Sequence, residues 1–312
     1  MKLVFCGTPQ FAVPTLDALA VAGHDIQLVV TQPDRPSGRG GQLSSPAVKQ
    51  AAAKLGLAIV QPQTLKKNPE FQEQLKRLGP DAIIVVAYGR IIPPWMLNLP
   101  NLGNINVHAS LLPKFRGAAP VQWAIARGET STGITIMRLD EGLDTGPIFL
   151  QRRIPITADD TAPSLAPRLA ELGAQLMLEA LPQIAGKTLK GVPQDDSQAT
   201  LAPLLTKEDG LINFAWRADE IHNRLRGFQP WPGAYTRFRG RQLQLISARP
   251  AAVSSGASIA SGSFLRRGNQ LFFTCAGSTL LEVLELQPAG KQRMTAKQFL
   301  SGYRPVNGEA LG

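Results

Sequence analysis

The stretch NINVHASLLPKFRGAAP (Asn104–Pro120) opens with strict alternation. Asn104, Asn106, His108 and Ser110 are polar, while Ile105, Val107 and Ala109 are apolar. Residues two apart on a strand point the same way, so Asn106 and His108 share a face just before a proline-marked turn. A carboxamide donates to an oxygen that gains negative charge. An imidazole, with an ordinary pKa of about 6.5, either donates or accepts. Two such groups converging on one point suit the tetrahedral intermediate of acyl transfer, where losing one donor costs about 10²–10³ in rate. No G-x-S-x-G elbow accompanies them, since Ser110 is followed by Leu111 and Leu112. Direct transfer without a covalent enzyme intermediate therefore fits better. Taken alone, an Asn-x-His pair more often bonds loop backbone at the end of a strand.

A second polar cluster, LDEGLDTGP, sets Asp140, Glu141 and Asp144 in a glycine-bracketed loop between two strand-like runs. A carboxylate beside an imidazole holds its orientation and favours its charged form. It could also take the proton released by an attacking amine, directly or through one water. By itself such a cluster is more often a solvated acidic turn.

The elements that must bring these residues together alternate between strand and helix. KLVFC, DIQLVVT, DAIIVVA and GNINVHA read as buried strands, with helical spacing between them in VPTLDALAVAG and SPAVKQAAAKLG. This rhythm predicts a Rossmann-like α/β domain with a mainly parallel sheet. Its ligand crevice lies beyond the carboxyl ends of the strands, where Gly7, Tyr88 and His108 should gather. GITIMRL and GPIFLQRRIPI add two strands around the acidic loop, and a long helical run from Ala162 to Gly186 closes the unit. The polar, proline-bounded segment GVPQDDSQATLAP reads as a linker. Beyond it, one helix (ADEIHNRLRGF) and short strands punctuated by glycine and proline predict a small β-barrel, OB-fold-like. The expected division is 1–189 for the first domain, 190–205 for a linker and 206–312 for the second.

Composition sets limits. Hydrophobic residues make up 44% and charged residues 18% of the 312-residue chain, as in a folded soluble protein. No apolar run reaches the roughly 18 residues that span a bilayer, and MKLVFCGTPQ lacks the plan of a signal peptide. Cys6 and Cys275 are too few for a disulfide framework. These features together point to a cytoplasmic setting. Residues 1–205 carry 19 Lys and Arg against 16 Asp and Glu, a net +3, and residues 206–312 carry 14 against 7, a net +7. A basic module joined to a nearly neutral one suggests a polyanionic partner.

NINVHASLLPKFRGAAP followed by DEGLDTGP resembles the signature of the folate-dependent formyltransferases. The resemblance implies that Asn106, His108 and Asp144 carry catalysis, and that Ser110, Leu111, Leu112 and Pro113 form a turn lining the folate site. It further implies that the backbone of Tyr88 and Gly89 contacts the pterin. The next residue, Arg90, departs from the uncharged residue usual in the family. Within the family, VFCGTPQFAVPTLDAL, the loop TQPDRPSGRGGQLSSPAVK and the C-terminal FQPWPGAYT and LQPAGKQRM are similar to the enzymes acting on methionyl-tRNA. That similarity implies 10-formyltetrahydrofolate as co-substrate and initiator methionyl-tRNA as acceptor. No metal is expected, because the donor is already activated and no hydroxide must be generated; no membrane contact and a monomer are expected as well.

Arg35 and Arg39 in the glycine-rich loop suit contacts to tRNA phosphates or unpaired bases. In the second module Arg237, Arg239, Arg241, Arg266, Arg267, Lys291 and Arg293 are further candidates, and Trp231 reads as a packed anchor. Two other readings stand beside this one. A formyltransferase for a nucleotide-linked amino sugar would share the three catalytic residues without needing the basic loop or barrel. A non-catalytic RNA-binding protein with a degenerate enzyme domain is the reading from another class, and the intact trio argues against it.

Overall fold

Leu3, Val4, Phe5 and Cys6 are wholly buried, the pattern of a central parallel strand covered on both faces. They lie in β1 (Lys2–Gly7) of a computed structural model that describes residues 1–37, 42–252 and 260–312. The chain forms two units. The first holds Met1–Pro120, Ser131–Pro155 and Leu165–Pro203; the second holds Val121–Thr130, Ile156–Ser164 and Leu204–Gly312.

In the first unit β1 leads through α1 (Val13–Val21) to β2 (Asp25–Val30). A short hairpin, β3 (Arg35–Ser37) and β4 (Gln42–Ser44), precedes α2 (Ala47–Lys54), β5 (Ile59–Val60) and α3 (Pro69–Leu78). Local chemistry marks α3 at both ends. Asn68 accepts a hydrogen bond from the Phe71 N–H at 3.1 Å, Pro69 fills the first turn, and Gly79 ends the helix in the left-handed conformation. β6 (Ala82–Val86), α4 (Pro94–Leu97), β7 (Asn104–His108), α5 (Pro120–Ala126), β8 (Ser131–Arg138), β9 (Ile148–Pro155) and α6 (Ala162–Ala185) follow.

The seven-stranded sheet runs β5-β2-β1-β6-β7-β8-β9. It is parallel from β5 to β7, and β8 and β9 are antiparallel. The mainly parallel α/β sheet expected from the sequence is therefore present. Chain order turns at β1, with β2 on one side and β6 on the other, so β1, β6 and β7 end at one edge. At that edge the Thr8 hydroxyl donates to the Tyr88 carbonyl at 2.9 Å.

Residues 190–203, most of the 190–205 stretch read from sequence as a linker, are stitched to the first unit. Val192 pairs with Ile148, the Arg116 N–H donates to the Thr200 carbonyl, and the Ala202 N–H donates to the Arg116 carbonyl.

The second unit is antiparallel. After α7 (Ala218–Gly227) come β10 (Ala234–Phe238), β11 (Arg241–Ala251), β12 (Phe264–Arg267), β13 (Gln270–Thr274), β14 (Leu280–Pro288), β15 (Met294–Thr295) and α8 (Ala296–Tyr303). The sheet path is β10-β11-β14-β13-β12, with β15 on β14. Its two outer strands are bridged by the last residues of the chain. Phe264 of β12 donates to the Glu309 carbonyl, Leu311 donates to the Gly262 carbonyl, and Gly312 donates to the Arg237 carbonyl of β10. The tail thereby covers edges that would otherwise be open to foreign strands.

Inside this unit, Phe238 and Phe264 meet edge to face at 5.1 Å, Phe264 and Phe273 at 5.4 Å, and Phe299 stacks on Tyr303 at 4.7 Å. α7 also gathers two segments from earlier in the chain. Phe228 meets Trp123 edge to face at 5.2 Å, and the Arg226 guanidinium donates to the carbonyls of Thr157 and Asp160.

Among the described residues no helix is long and apolar enough to cross a membrane. Cys6 and Cys275 are both buried, which raises both thiols, that of Cys275 to about 12.

Two outcomes follow from this packing. Phe264→Ala should destabilise the second unit by about 3–5 kcal/mol, the range for truncating a buried aromatic, measured by denaturant unfolding followed by circular dichroism. An aromatic disulfide reagent at neutral pH should label neither cysteine in native protein and both after denaturation, since a buried protonated thiol is a poor nucleophile.

Candidate active site

Asn106 and His108 occupy alternate positions of β7 and are 8% and 6% exposed. The Asn106 carboxamide makes no hydrogen bond to any described residue, so its amide is available as a donor. The His108 ring is fixed from one side. Its Nε2 lies 3.0 Å from the Phe115 carbonyl oxygen, and a carbonyl only accepts, so this nitrogen carries a proton. Phe115 presents that oxygen from a left-handed backbone conformation, φ 62°.

The other ring nitrogen, Nδ1, lies 3.7 Å from the Asp144 Oδ2, whose side chain is 14% exposed. That separation is too long for a hydrogen bond, so Asp144 stands beside the ring without bonding to it. What orients the imidazole is the Phe115 carbonyl, where the sequence suggested the carboxylate. Asp144 Oδ2 instead accepts from the Gly117 N–H at 2.8 Å. Gly117 has φ 121°, and a Cβ there would stand 2.7 Å from the Ala202 carbonyl oxygen, so only glycine serves.

Asp144 itself is held at φ 53°, a region that non-glycine residues seldom occupy. The Gln194 amide secures it, Nε2 donating to the carbonyls of Asp144 and Gly146, both at 2.8 Å. Gln194 Oε1 accepts from Arg116 Nε at 3.1 Å and Nη2 at 2.8 Å, and Arg116 Nη2 also donates to Asp196 at 2.7 Å. Of the other acidic residues in the loop, Asp140 caps the turn by accepting from the Gly142 N–H and the Thr145 hydroxyl, and Glu141 is exposed.

The Ser110–Pro113 turn is held from beneath by β8 and β9. Thr135, opposite His108 in the sheet, donates to the Ser110 carbonyl at 2.7 Å and accepts from the Leu112 N–H at 3.1 Å. Gln151 donates to the Leu112 carbonyl and to the Thr135 hydroxyl, both at 2.8 Å. Ser110 is buried, with its hydroxyl donating to the Lys114 carbonyl, and Leu112 is buried as well. Leu111 and Pro113 are the partly exposed members of the turn.

At the end of β6, Tyr88 is buried with its ring in the core, and Gly89 is exposed at φ 77°. The Gln32 amide ties this backbone down, Nε2 donating to the carbonyls of Tyr88 and Gly89 at 2.9 and 3.1 Å. Arg90 turns away, donating to the carbonyls of Pro62 and Gln63.

Arg35 is exposed and donates to Gln32 Oε1 at 2.7 Å. Both ends of its hairpin are clamped: Asp34 accepts from Ser45, Lys49 and Gln61. Those donors hold the Asp34 carboxyl below its usual range, the Lys49 hydrogen bond foremost. Arg39 lies outside the described residues. In the second unit Arg239 pairs with Glu309 and Arg293 with Glu285, while Arg237, Arg241 and Lys291 are exposed. Trp231, expected as a packed anchor, is 55% exposed.

Sequence reasoning missed Arg116, Thr135, Gln151 and Gln194. Thr135 carried a faint signal, a polar position among the apolar residues of GITIMRL. Gln194 carried none, because a glutamine between prolines in a polar stretch looks like linker.

Residues 1–181 match the family described as Formyl transferase, and residues 204–304 match its C-terminal domain. The chain is 56% identical over 312 residues to a methionyl-tRNA formyltransferase of Koribacter versatilis, covering 100% of this chain and 99% of that one. It is 45% identical to the methionyl-tRNA formyltransferase of Caldanaerobacter subterraneus, covering 100% of each. An N-formyltransferase from Helicobacter canadensis, solved with folinic acid and dTDP-3-aminofucose, shares the fold at TM-score 0.68 and 20% identity over 92% of this chain and 99% of that one. With one family model spanning more than half the chain and relatives matched end to end, this chain belongs to the formyl transferase family.

Proposed function

We propose that this protein transfers the formyl group of 10-formyltetrahydrofolate to the α-amino group of methionyl-initiator tRNA. The observation that carries the reading is the meeting of Asn106, His108 and Asp144, two from β7 and one from the β8–β9 loop. End-to-end identity to methionyl-tRNA formyltransferases supports the acceptor. All three side chains come from one chain, so a monomer suffices.

The neutral amine attacks the formyl carbon, forming a C–N bond and an oxyanion. The Asn106 amide donates to that oxygen. His108 donates from Nδ1, the ring nitrogen left open once Nε2 is given to Phe115. Asp144 stabilises the imidazolium by its charge and accepts, through water, the proton that leaves the amine. The bond between the formyl carbon and N10 then breaks, N10 takes up a proton, and tetrahydrofolate leaves. The folate lies against Leu111 and Pro113 and the exposed backbone at Gly89, with Ser110, Leu112 and Tyr88 supporting these surfaces from within. Arg35 and Arg39 meet the tRNA, and the exposed cations of the second unit add sequence-independent attraction to phosphates.

Asn106→Ala and His108→Ala should each lower the single-turnover rate about 10²–10³-fold with both substrates saturating. A rate near wild type in either would take the donor pair out of the chemistry. Charged initiator and elongator tRNAs, compared for formyl-methionine formed, test the acceptor.

Arg35→Ala should weaken tRNA binding and reduce the slope of its salt dependence by about 1, leaving affinity for the formyl donor unchanged. An equal loss of both affinities would move Arg35 out of the tRNA contact.

A further inference from the structure

Phe115, Arg116 and Gly117 are consecutive, and each reaches the site by a different route. The first fixes His108 through its carbonyl, and the third fixes the Asp144 carboxylate through its N–H. Arg116 acts at one remove. It is 7% exposed, and its guanidinium holds the Gln194 carboxamide by two bonds to Oε1. Arginine donates and never accepts, so it dictates which way the Gln194 amide faces. The NH₂ end must point to the carbonyls of Asp144 and Gly146.

We infer that Gln194, oriented by Arg116, is a positioning residue of the formyl-transfer reaction, holding the Asp144 backbone so that its carboxylate stands beside His108. This rests on the role given to Asp144 above.

The physical case is one of competing conformations. Asp144 has a β-carbon and sits in the left-handed region, at φ 53°, which side chains disfavour even though aspartate enters it more readily than most. Two hydrogen bonds from one amide, to residues 144 and 146, lock both sides of the Thr145 peptide. Without them the loop relaxes toward ordinary dihedrals and the carboxylate swings off the Gly117 N–H. A displacement of about 1 Å at a catalytic group is worth up to about 10²-fold in rate. Arg116 is anchored independently of Gln194, through its own backbone bonds to residues 200 and 202 and its ion pair with Asp196. The clamp is therefore built on the first unit's own framework.

The test uses Gln194→Glu and Gln194→Met in the full-length protein. Both keep the side-chain length. The first retains an acceptor for Arg116 but turns the donor end into a second acceptor, and the second removes all polar contact. Single-turnover formylation and steady-state kinetics are read beside thermal unfolding. Each variant should lose about 10–100-fold in kcat with both KM values within about twofold of wild type. In an Asp144→Asn background, neither substitution should add a further loss, because residues acting through one group are non-additive.

The inference is overturned if either variant keeps kcat within about twofold of wild type. It is also overturned if the loss multiplies fully onto that of Asp144→Asn, or if it tracks a matching loss of folded protein by circular dichroism. Should Asp144→Asn itself leave the rate unchanged, the catalytic reading fails, and this failure is separate from the others.

Discussion

One backbone N–H, that of Gly117, holds the Asp144 carboxylate at 2.8 Å, and the rest of the site is arranged around that bond. The carboxylate comes from a loop between antiparallel strands, whereas the imidazole it faces comes from the last parallel strand. Nothing in sheet geometry alone makes those two meet. The meeting is enforced by a short segment, Phe115–Gly117, which leaves the β7 turn and runs between them. A single peptide plane out of place there would disturb both partners at once. The Arg116 backbone is hydrogen-bonded to residues 200 and 202, so the segment is a strut against the chain that follows α6.

The division of labour around His108 is informative. One ring nitrogen is committed to a carbonyl and stays protonated, so the ring presents only Nδ1 to chemistry. Asp144 Oδ2 stands 3.7 Å from that nitrogen, beyond hydrogen-bond range. Asn106, free of protein partners among the described residues, completes a donor pair whose geometry is set by the two-residue repeat of β7. Orientation is thus supplied by backbone, while charge and donation are supplied by side chains.

Much of this was legible in the sequence because it follows from period and turn chemistry. The buried apolar runs of β1, β2 and β6 announced a parallel sheet, and alternation in β7 put Asn106 and His108 on one face. Glycine-bracketed acids announced a loop at a sheet end. Positions fixed by contacts distant in sequence were not legible. Gln194 lies 50 residues from Asp144, in a stretch whose composition said linker. Its role depends on Arg116 choosing the direction of its amide, which no local pattern encodes. The same holds for the C-terminal module, whose glycine spacing suggested a barrel. The seam between β10 and β12 is covered by tail residues with no strand-like pattern of their own. Trp231, expected to be packed, is instead exposed between Pro230 and Pro232.

Gln32 uses both ends of one carboxamide, giving its NH₂ to the Tyr88 and Gly89 carbonyls and its oxygen to Arg35. The guanidinium is therefore parked rather than locked. Handing it to a passing phosphate exchanges one solvent-exposed bond to a neutral oxygen for an ion pair, at the surface a change of about 1 kcal/mol or less. The strand-end carbonyls keep their donor throughout. On the roles proposed above, an incoming polyanion would recruit this arginine without slackening the strand-end backbone that Gln32 holds.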